Sequence, residues 1–255
     1  MRLCRFDVGF GPRHGLVADE YVIDLANQDD QYPLEAVRLL APVQPRKYLA
    51  IGLNYADHIA ESGMDTPGYP VFFNKQVTCV VGPDDDVHMP RVSSLLDYEG
   101  ELAMVIATRC RHVPVGRAQD VIAGYTIAND VSVRDWQVRS PTMTMGKSFD
   151  THGPLGPWIV TTDDIPDPSR LTLMTRLNGK EVQRSATDLL IYSIPQIIAF
   201  CSDFTTLSAG DVIATGTPEG VGHRRSPPLW MKPGDTLEVE ITGIGVLRSH
   251  IVDEK

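Results

Sequence analysis

The stretch Leu95-Leu96-Asp97-Tyr98-Glu99-Gly100-Glu101-Leu102-Ala103-Met104-Val105-Ile106 constrains this chain more than any other. Its second half is a continuous apolar run, the pattern of a strand buried on both faces. Residues two apart in an extended strand point to the same side, so Glu99 and Glu101 aim both carboxylates at one face. Close like charges resist joint ionisation: desolvation and mutual repulsion raise one of the two pKa values unless a cation between them favours the ionised forms. A hard divalent metal does this best. A third acid, Asp130, follows a second apolar run and completes a three-carboxylate set that leaves coordination positions open for water or substrate oxygens. The bland alternative is a wet outer face of a strand. It fits poorly here, because a charge beside a buried run needs a counter-charge.

A chain of 255 residues that is 42% hydrophobic can bury one large core. No apolar stretch reaches the roughly 20 residues a membrane helix needs, and Met1 to Asp7 lacks the apolar core of a secretory signal, so cytoplasmic residence without membrane contact is expected. The net charge is −10, from 23 basic and 33 acidic residues, and no Lys/Arg block is long enough to follow a phosphate backbone. Nucleic acid is excluded as an expected partner, whereas an anionic small molecule is not, since a metal and a few local cations can reverse the potential inside one pocket. The most basic cluster, His223-Arg224-Arg225, reads first as a solvated loop, with substrate or subunit contact as the alternative. Cys4, Cys79, Cys110 and Cys201 are scattered without zinc spacing and read as reduced, mostly buried thiols.

Residues 1–44 alternate strand-like pieces, Leu3 to Phe6, His14 to Val17 and Tyr21 to Asp24, with a helix-like Leu34 to Leu40, before Pro42 and Pro45 punctuate the chain. This predicts a small N-terminal unit over 1–44 and a catalytic unit over 45–255. The remainder is rich in strand-like runs: Tyr48 to Gly52, Val71 to Phe73, Cys79 to Val81, Glu101 to Ile106, Trp158 to Thr161, Leu171 to Leu177, Val212 to Thr215, Thr236 to Ile241 and Gly245 to Ile251. Asn178-Gly179 signals a hairpin. Two helices are expected, a short one over Ala118 to Ala123 and another over Ser193 to Phe204, with Ser193 as N-cap and Gln196 completing a capping box. The expected class is α+β and mainly β.

After the strand Tyr48 to Gly52, the segment Asn54 to Glu61 reads as a short helix with His58 and Glu61 three apart on one face. A carboxylate beside an imidazole fixes its tautomer and raises its basicity, so His58 is a candidate base for water; an exposed helix pair is the plain alternative. Asn54 reads equally well as a helix cap and Tyr55 as a packed ring. Asp97 shares the parity of Glu99 and Glu101 but sits where the strand only begins, and is not expected to join the metal site.

With Asn54-Tyr55-x-x-His58 and Glu99-x-Glu101 stand three further segments: Ile122 to Gln137, Gly146-Lys147-Ser148-Phe149-Asp150, and Gly210 to Gly222 with its Gly216-Thr217-Pro218-Glu219-Gly220 core. Each is weak alone; together, in this order over about residues 47–252, they resemble the fumarylacetoacetate hydrolase family. The resemblance implies a curled, barrel-like mixed β-sheet with a few helices, assembled as a homodimer, with Mg²⁺ or alternatively Mn²⁺ in the site. It implies Glu99, Glu101 and Asp130 as metal ligands and His58 with Glu61 as the water-activating dyad on a mobile helix. Arg134, Gln137, Lys147 and Thr217, with the Gly216 backbone, fall where relatives contact substrate oxygens. Outside the family context, Lys147 reads as a solvated loop lysine, Arg134 as a surface pair with Asp135, and Gln137 as a polar surface residue. Lys75, after an aromatic pair, is a further cation to follow.

The resemblance implies hydrolysis of a carbon-carbon bond in a 1,3-dicarbonyl, acylpyruvate-like acid, with water activated by His58 and Glu61, the departing enolate charge held by the metal, and Lys147 and Gln137 as electrostatic support. Isomerisation of hydroxymuconate-type dienes and decarboxylation of oxaloacetate-type acids use the same metal site and are the alternatives, as is a non-catalytic metal- or keto-acid-binding relative. Substrate identity is expected to reside in the loop 222–232 and in Gly63 to Tyr69.

Overall fold

A computed structural model describes residues 1–255. The expectation of a mainly β architecture holds, and the sheet stays open rather than closing into a barrel. Twelve strands form the main sheet; its principal path runs Gln31–Pro33, Tyr21–Asp24, Pro12–Ala18, Arg2–Asp7, Gly153–Thr161, Ile122–Asn129, Gly100–Ile106, Val212–Ala214, Tyr48–Gly52, Val71–Lys75. Most pairs are antiparallel, but Val212–Ala214 runs parallel to Tyr48–Gly52, which makes the sheet mixed. A second sheet of five strands, ordered Lys180–Ala186, Thr172–Leu177, Thr236–Ile241, Gly245–Asp253, Asp86–Met89, packs against it. The Asn178-Gly179 turn joins two of its strands as expected, with both residues at positive φ.

The strand Gly100–Ile106 lies at the centre and every one of its residues is buried. One face carries Leu102, Met104 and Ile106 into the core shared with Leu173, Leu237, Val239 and Ile241 of the second sheet. Gly100 meets that sheet most closely: a Cβ there would lie 2.3 Å from Thr175 Oγ1, so only glycine fits between the layers. Ala103 and Val105 face the other way, toward Tyr48, Ala50, Phe73 and Ala214. By pleat parity Glu99 and Glu101 share that second face. The helix Ile194–Phe204 closes one flank of the core through Ile194, Ile197, Ile198 and Cys201, and Ser193 and Gln196 form the expected capping box. No helix is long and apolar enough to cross a membrane.

Two helical expectations fail. Leu34 to Leu40 is a single 3₁₀ turn, Leu34–Ala36, followed by the strand Arg38–Leu40 paired with Arg2–Asp7. The apolar spacing there serves the cluster around Phe6, which Leu34, Val37 and Leu39 flank, and tertiary pairing overrides the local period. Ala118 to Ala123 is the end of a 3₁₀ segment, Val115–Val121, and the start of the strand Ile122–Asn129. Gly124 commits that strand to its neighbour, since a Cβ there would meet Val160 O at 2.2 Å. The Cys79 end of another expected strand is likewise a 3₁₀ turn, Val77–Cys79, with only Val80–Val81 extended.

Candidate metal and catalytic site

Register brings the acids together. Gly100 pairs with Asn129, so the next pair along is Glu99 with Asp130, and the Asp130 N–H donates to Glu99 O at 2.9 Å. Carboxylate oxygens of Glu99, Glu101 and Asp130 consequently lie within 4.8 Å of one another, all three residues buried. Lys147, 2% exposed, sends its Nζ to Glu99 Oε2 and Asp130 Oδ2, both at 2.7 Å. Lys75 Nζ donates to Asp130 Oδ1 at 2.6 Å and also to the Lys147 carbonyl. Arg134 donates from Nη1 to Glu99 Oε1 at 2.7 Å and from Nε to Asp97 Oδ2 at 2.8 Å. The solvated-lysine and surface-pair readings of Lys147 and Arg134 are therefore overturned, because both cations are drawn inward to buried carboxylates that would be unstable alone.

The charges do not balance. Four buried carboxylates, Asp97, Glu99, Glu101 and Asp130, face three cations, Lys75, Arg134 and Lys147, and Glu101 is the acid that none of them touches. Its Oε2 accepts the Gly216 N–H at 2.8 Å, and burial followed by the charges of Asp130 and Glu99 pushes its pKa well above the ordinary value. Burial also opposes ionisation of Glu99, but there the ammonium of Lys147 and the guanidinium of Arg134 prevail and hold the carboxyl well below the ordinary value. A buried three-oxygen set with one uncompensated carboxylate is the donor chemistry of a hard divalent cation, and the residues present fit such an ion.

His58 and Glu61 sit on the helix Ala56–Ser62, which ends at Gly63 in the left-handed conformation. His58 Nδ1 and Glu61 Oε2 are 3.2 Å apart, and the other oxygen of Glu61 accepts the Gly220 N–H at 3.0 Å. Burial works against the Glu61 charge, yet the hydrogen bonds from His58 and Gly220 lower its pKa overall. Asn54 does not cap this helix. Its side chain clasps Tyr192 and Thr215, donating to both carbonyls and accepting the Tyr192 N–H, while the Tyr55 ring is buried as a packed residue.

A cavity of about 350 Å³ joins these parts, lined by His58, Glu99, Glu101, Arg134, Gln137, Lys147 and Thr217 with apolar walls from Ile51, Val71, Phe73 and Met143. Not every expected contact group is free within it. The Gln137 oxygen accepts from Arg134 at 2.9 Å, and its amide nitrogen lies 3.5 Å from Met143 Sδ. The Thr217 hydroxyl donates to Gly100 O at 3.0 Å and accepts from Gln183 at 2.9 Å. The Gly216 N–H is spent on Glu101; its φ of +103° and a Cβ position 2.9 Å from Asn54 Cβ require glycine.

Asp97 stays outside the three-oxygen set, as expected, but is fully buried and anchors Arg134. Sequence reasoning missed this anchoring role, for which the shared parity of Asp97 and Glu99 was the available signal. The His223-Arg224-Arg225 cluster is not a plain solvated loop. His223 and Arg224 line the cavity, His223 Nδ1 lies 3.1 Å from Asp97 Oδ2, and Arg225 Nε donates to Tyr98 Oη and Gly220 O.

An open mixed sheet that gathers three buried acids beside a His-Glu pair defines a class of metal-site enzyme fold, and comparison with known proteins gives the class its family. Residues 47–252 match the fumarylacetoacetate (FAA) hydrolase C-terminal family and residues 1–42 match a family described as Rv2993c-like, N-terminal. The chain belongs to the fumarylacetoacetate hydrolase family, whose members are enzymes that generally use a divalent metal. It is 50% identical over 222 residues to an uncharacterised protein of Archaeoglobus fulgidus, covering 87% of this chain and 85% of that one. A 5-carboxymethyl-2-hydroxymuconate delta-isomerase structure from Mycobacterium smegmatis superposes with a TM-score of 0.90 at 40% identity, covering 100% of both chains. A fumarylacetoacetate hydrolase of Exiguobacterium antarcticum superposes with a TM-score of 0.91 at 36% identity, again over 100% of both.

Proposed function

We propose that this protein is a Mg²⁺-dependent hydrolase that cleaves a carbon-carbon bond in a 1,3-dicarbonyl acid of the acylpyruvate type. The observation that carries this reading is His58, paired with Glu61, lining the same cavity as Glu99 and Glu101, since hydrolysis needs a base for water beside the site that holds the keto acid. Glu99, Glu101 and Asp130 would hold Mg²⁺, or Mn²⁺ in its place, and the ion would supply Lewis-acid polarisation of the 2-oxo-acid oxygens.

The chain's own groups do the rest. Glu61 accepts the Nδ1–H of His58, which leaves Nε2 with its lone pair to take a proton from water. The water oxygen bonds to the distal carbonyl carbon. The bond between that carbon and the methylene then breaks, and its electron pair passes to the methylene and its neighbouring carbonyl as an enolate. The proton held by His58 returns to the methylene carbon, so one water and one dicarbonyl acid yield a carboxylic acid and a 2-oxo acid. Lys147 and Arg134 keep Glu99 ionised throughout.

Isomerisation of a hydroxymuconate-type acid is the second reading, favoured by the likeness to the Mycobacterium smegmatis isomerase. Turnover of acylpyruvates, oxaloacetate and hydroxymuconate analogues, with the products identified, separates the reactions. In His58→Ala, hydrolysis should fall by about 10²- to 10⁴-fold, while Mg²⁺ affinity measured by calorimetry is retained. An unchanged rate removes His58 as the base. The same proposal takes a small anionic 2-oxo or dicarbonyl acid as ligand, a homodimer as the working assembly and the cytoplasm as its location; sedimentation tests the assembly.

A further inference from the structure

Three consecutive basic residues on one turn have three different fates. The turn Gly222–Arg224 is pinned to Asp97, whose Oδ1 accepts the Gly222 N–H at 2.7 Å and whose Oδ2 accepts the His223 N–H at 3.0 Å. His223 turns its Nδ1 onto the same carboxylate, and Arg225 is consumed by Tyr98 Oη, Gly220 O and Val182 O. Arg224 alone has no ion pair and no side-chain hydrogen bond, yet it lines the cavity. The other cationic side chains of that lining, Lys147 and Arg134, are already neutralised by Glu99, Asp130 and Asp97. The cavity thus runs from a buried acidic floor to an exposed mouth at which an uncompensated guanidinium waits, with the apolar side chains of Val71, Phe73 and Met143 among its walls.

We propose that Arg224 determines specificity by receiving an anionic group at the end of the substrate remote from Glu99, Glu101 and Asp130, so that the preferred substrate is a 2-oxo acid bearing a second carboxylate. The guanidinium offers a planar two-donor fork matched to a carboxylate, and the apolar walls suit the carbon chain between the two charged ends. Asp97 and His223 act as positioning residues, because they fix the turn from which Arg224 projects. The inference rests on the keto-acid reading above only in placing the 2-oxo head at the floor.

The test uses two acids that differ only at the far end, 2-oxoadipate and 2-oxohexanoate, neither of which carries the 1,3-dicarbonyl that hydrolysis requires. Their affinities are measured by calorimetry in excess Mg²⁺, for wild type, Arg224→Met and Arg224→Lys. The expected result is a preference for the diacid of about tenfold in wild type, equivalent to one charge-assisted contact. That preference collapses to near unity in Arg224→Met and is partly kept in Arg224→Lys. Equal affinities in wild type, a preference that survives Arg224→Met, loss of both acids alike in that variant, or binding of neither acid by wild type would each overturn the proposal. Discrimination between the two acids without any acylpyruvate turnover would leave the subsite standing and remove the hydrolase reading; turnover without discrimination would do the reverse.

Discussion

Glu101 is the residue on which the site turns. Its neighbours Glu99 and Asp130 share Lys147, and Asp130 also has Lys75, while Glu101 has only the Gly216 N–H. Without a bound cation its ionised form is costly, and its raised pKa has a definite sign in stability. Above the folded-state value both folded and unfolded chains carry the charge, and the full burial cost is present. As pH falls through that value toward the ordinary carboxyl range, the folded chain takes up the proton first and gains stability. A divalent ion should therefore raise the thermal midpoint more at pH 8 than at pH 5. Glu101→Gln keeps an oxygen for the Gly216 N–H and turns amide donors toward two carboxylates. Its metal-free form should melt no lower than wild type and up to a few degrees higher, about 1 kcal/mol, while Mg²⁺ affinity drops by at least tenfold. A metal-free variant that melts well below wild type would show that Glu101 is paired rather than strained.

At the scale of elements, the short turn Gly222–Arg224 depends on backbone closeness. A Cβ at Gly222 would lie 2.0 Å from Leu229 O and 2.5 Å from Asp97 Oδ1, neither a flexible neighbour. Gly222→Ala must then push the turn off Asp97 and release His223 and Arg134 from one carboxylate. The expected cost is about 3 kcal/mol, on the scale of breaking a buried charged network, seen as a lower urea midpoint with an unchanged slope. A midpoint equal to that of wild type would mean that the turn is not held by Asp97. Elements of this kind are the least legible in sequence. Runs with strict strand patterns, such as Tyr48–Gly52 and Thr236–Ile241, fall where expected because both faces are apolar or alternate cleanly. Leu34 to Leu40 packs onto the Phe6 cluster and Ala118 to Ala123 runs from a 3₁₀ turn into a paired strand, tertiary arrangements that no local period encodes. The clustered acids Glu99, Glu101 and Asp130 were legible because a strand period and buried runs fix their direction, whereas the inward turn of Lys147, Lys75 and His223 depends on long-range charge. Their sequence neighbours, Gly146 and Ser148 for instance, say only loop.

The whole molecule ties its two family segments into one sheet. Arg2–Asp7 pairs with Pro12–Ala18 on one side and, at Arg2 and Leu3, with Val160 and Ile159 of Gly153–Thr161 on the other. Thr161 N–H donates to Met1 O at 2.9 Å, and the Arg2 guanidinium stands 5.4 Å from the Trp158 ring centre. The N-terminal strands bury a small cluster of their own, Cys4, Phe6, Val17 and Val22, with Trp158 packed against it from the strand Gly153–Thr161. A cluster of four side chains is too small to fold alone. The strand that it covers, Gly153–Thr161, is in turn the neighbour of Ile122–Asn129, which delivers Asp130 to the site. Removing residues 1–42 would bare an apolar strand edge and expose Trp158, a template for aggregation. The truncated chain should therefore be recovered with a thermal midpoint at least about 10 °C lower, or only as aggregate, and residues 1–42 alone should show no cooperative melt. If the truncated chain melts with wild type and binds Mg²⁺ as tightly, the N-terminal strands are an appendage and the site owes them nothing.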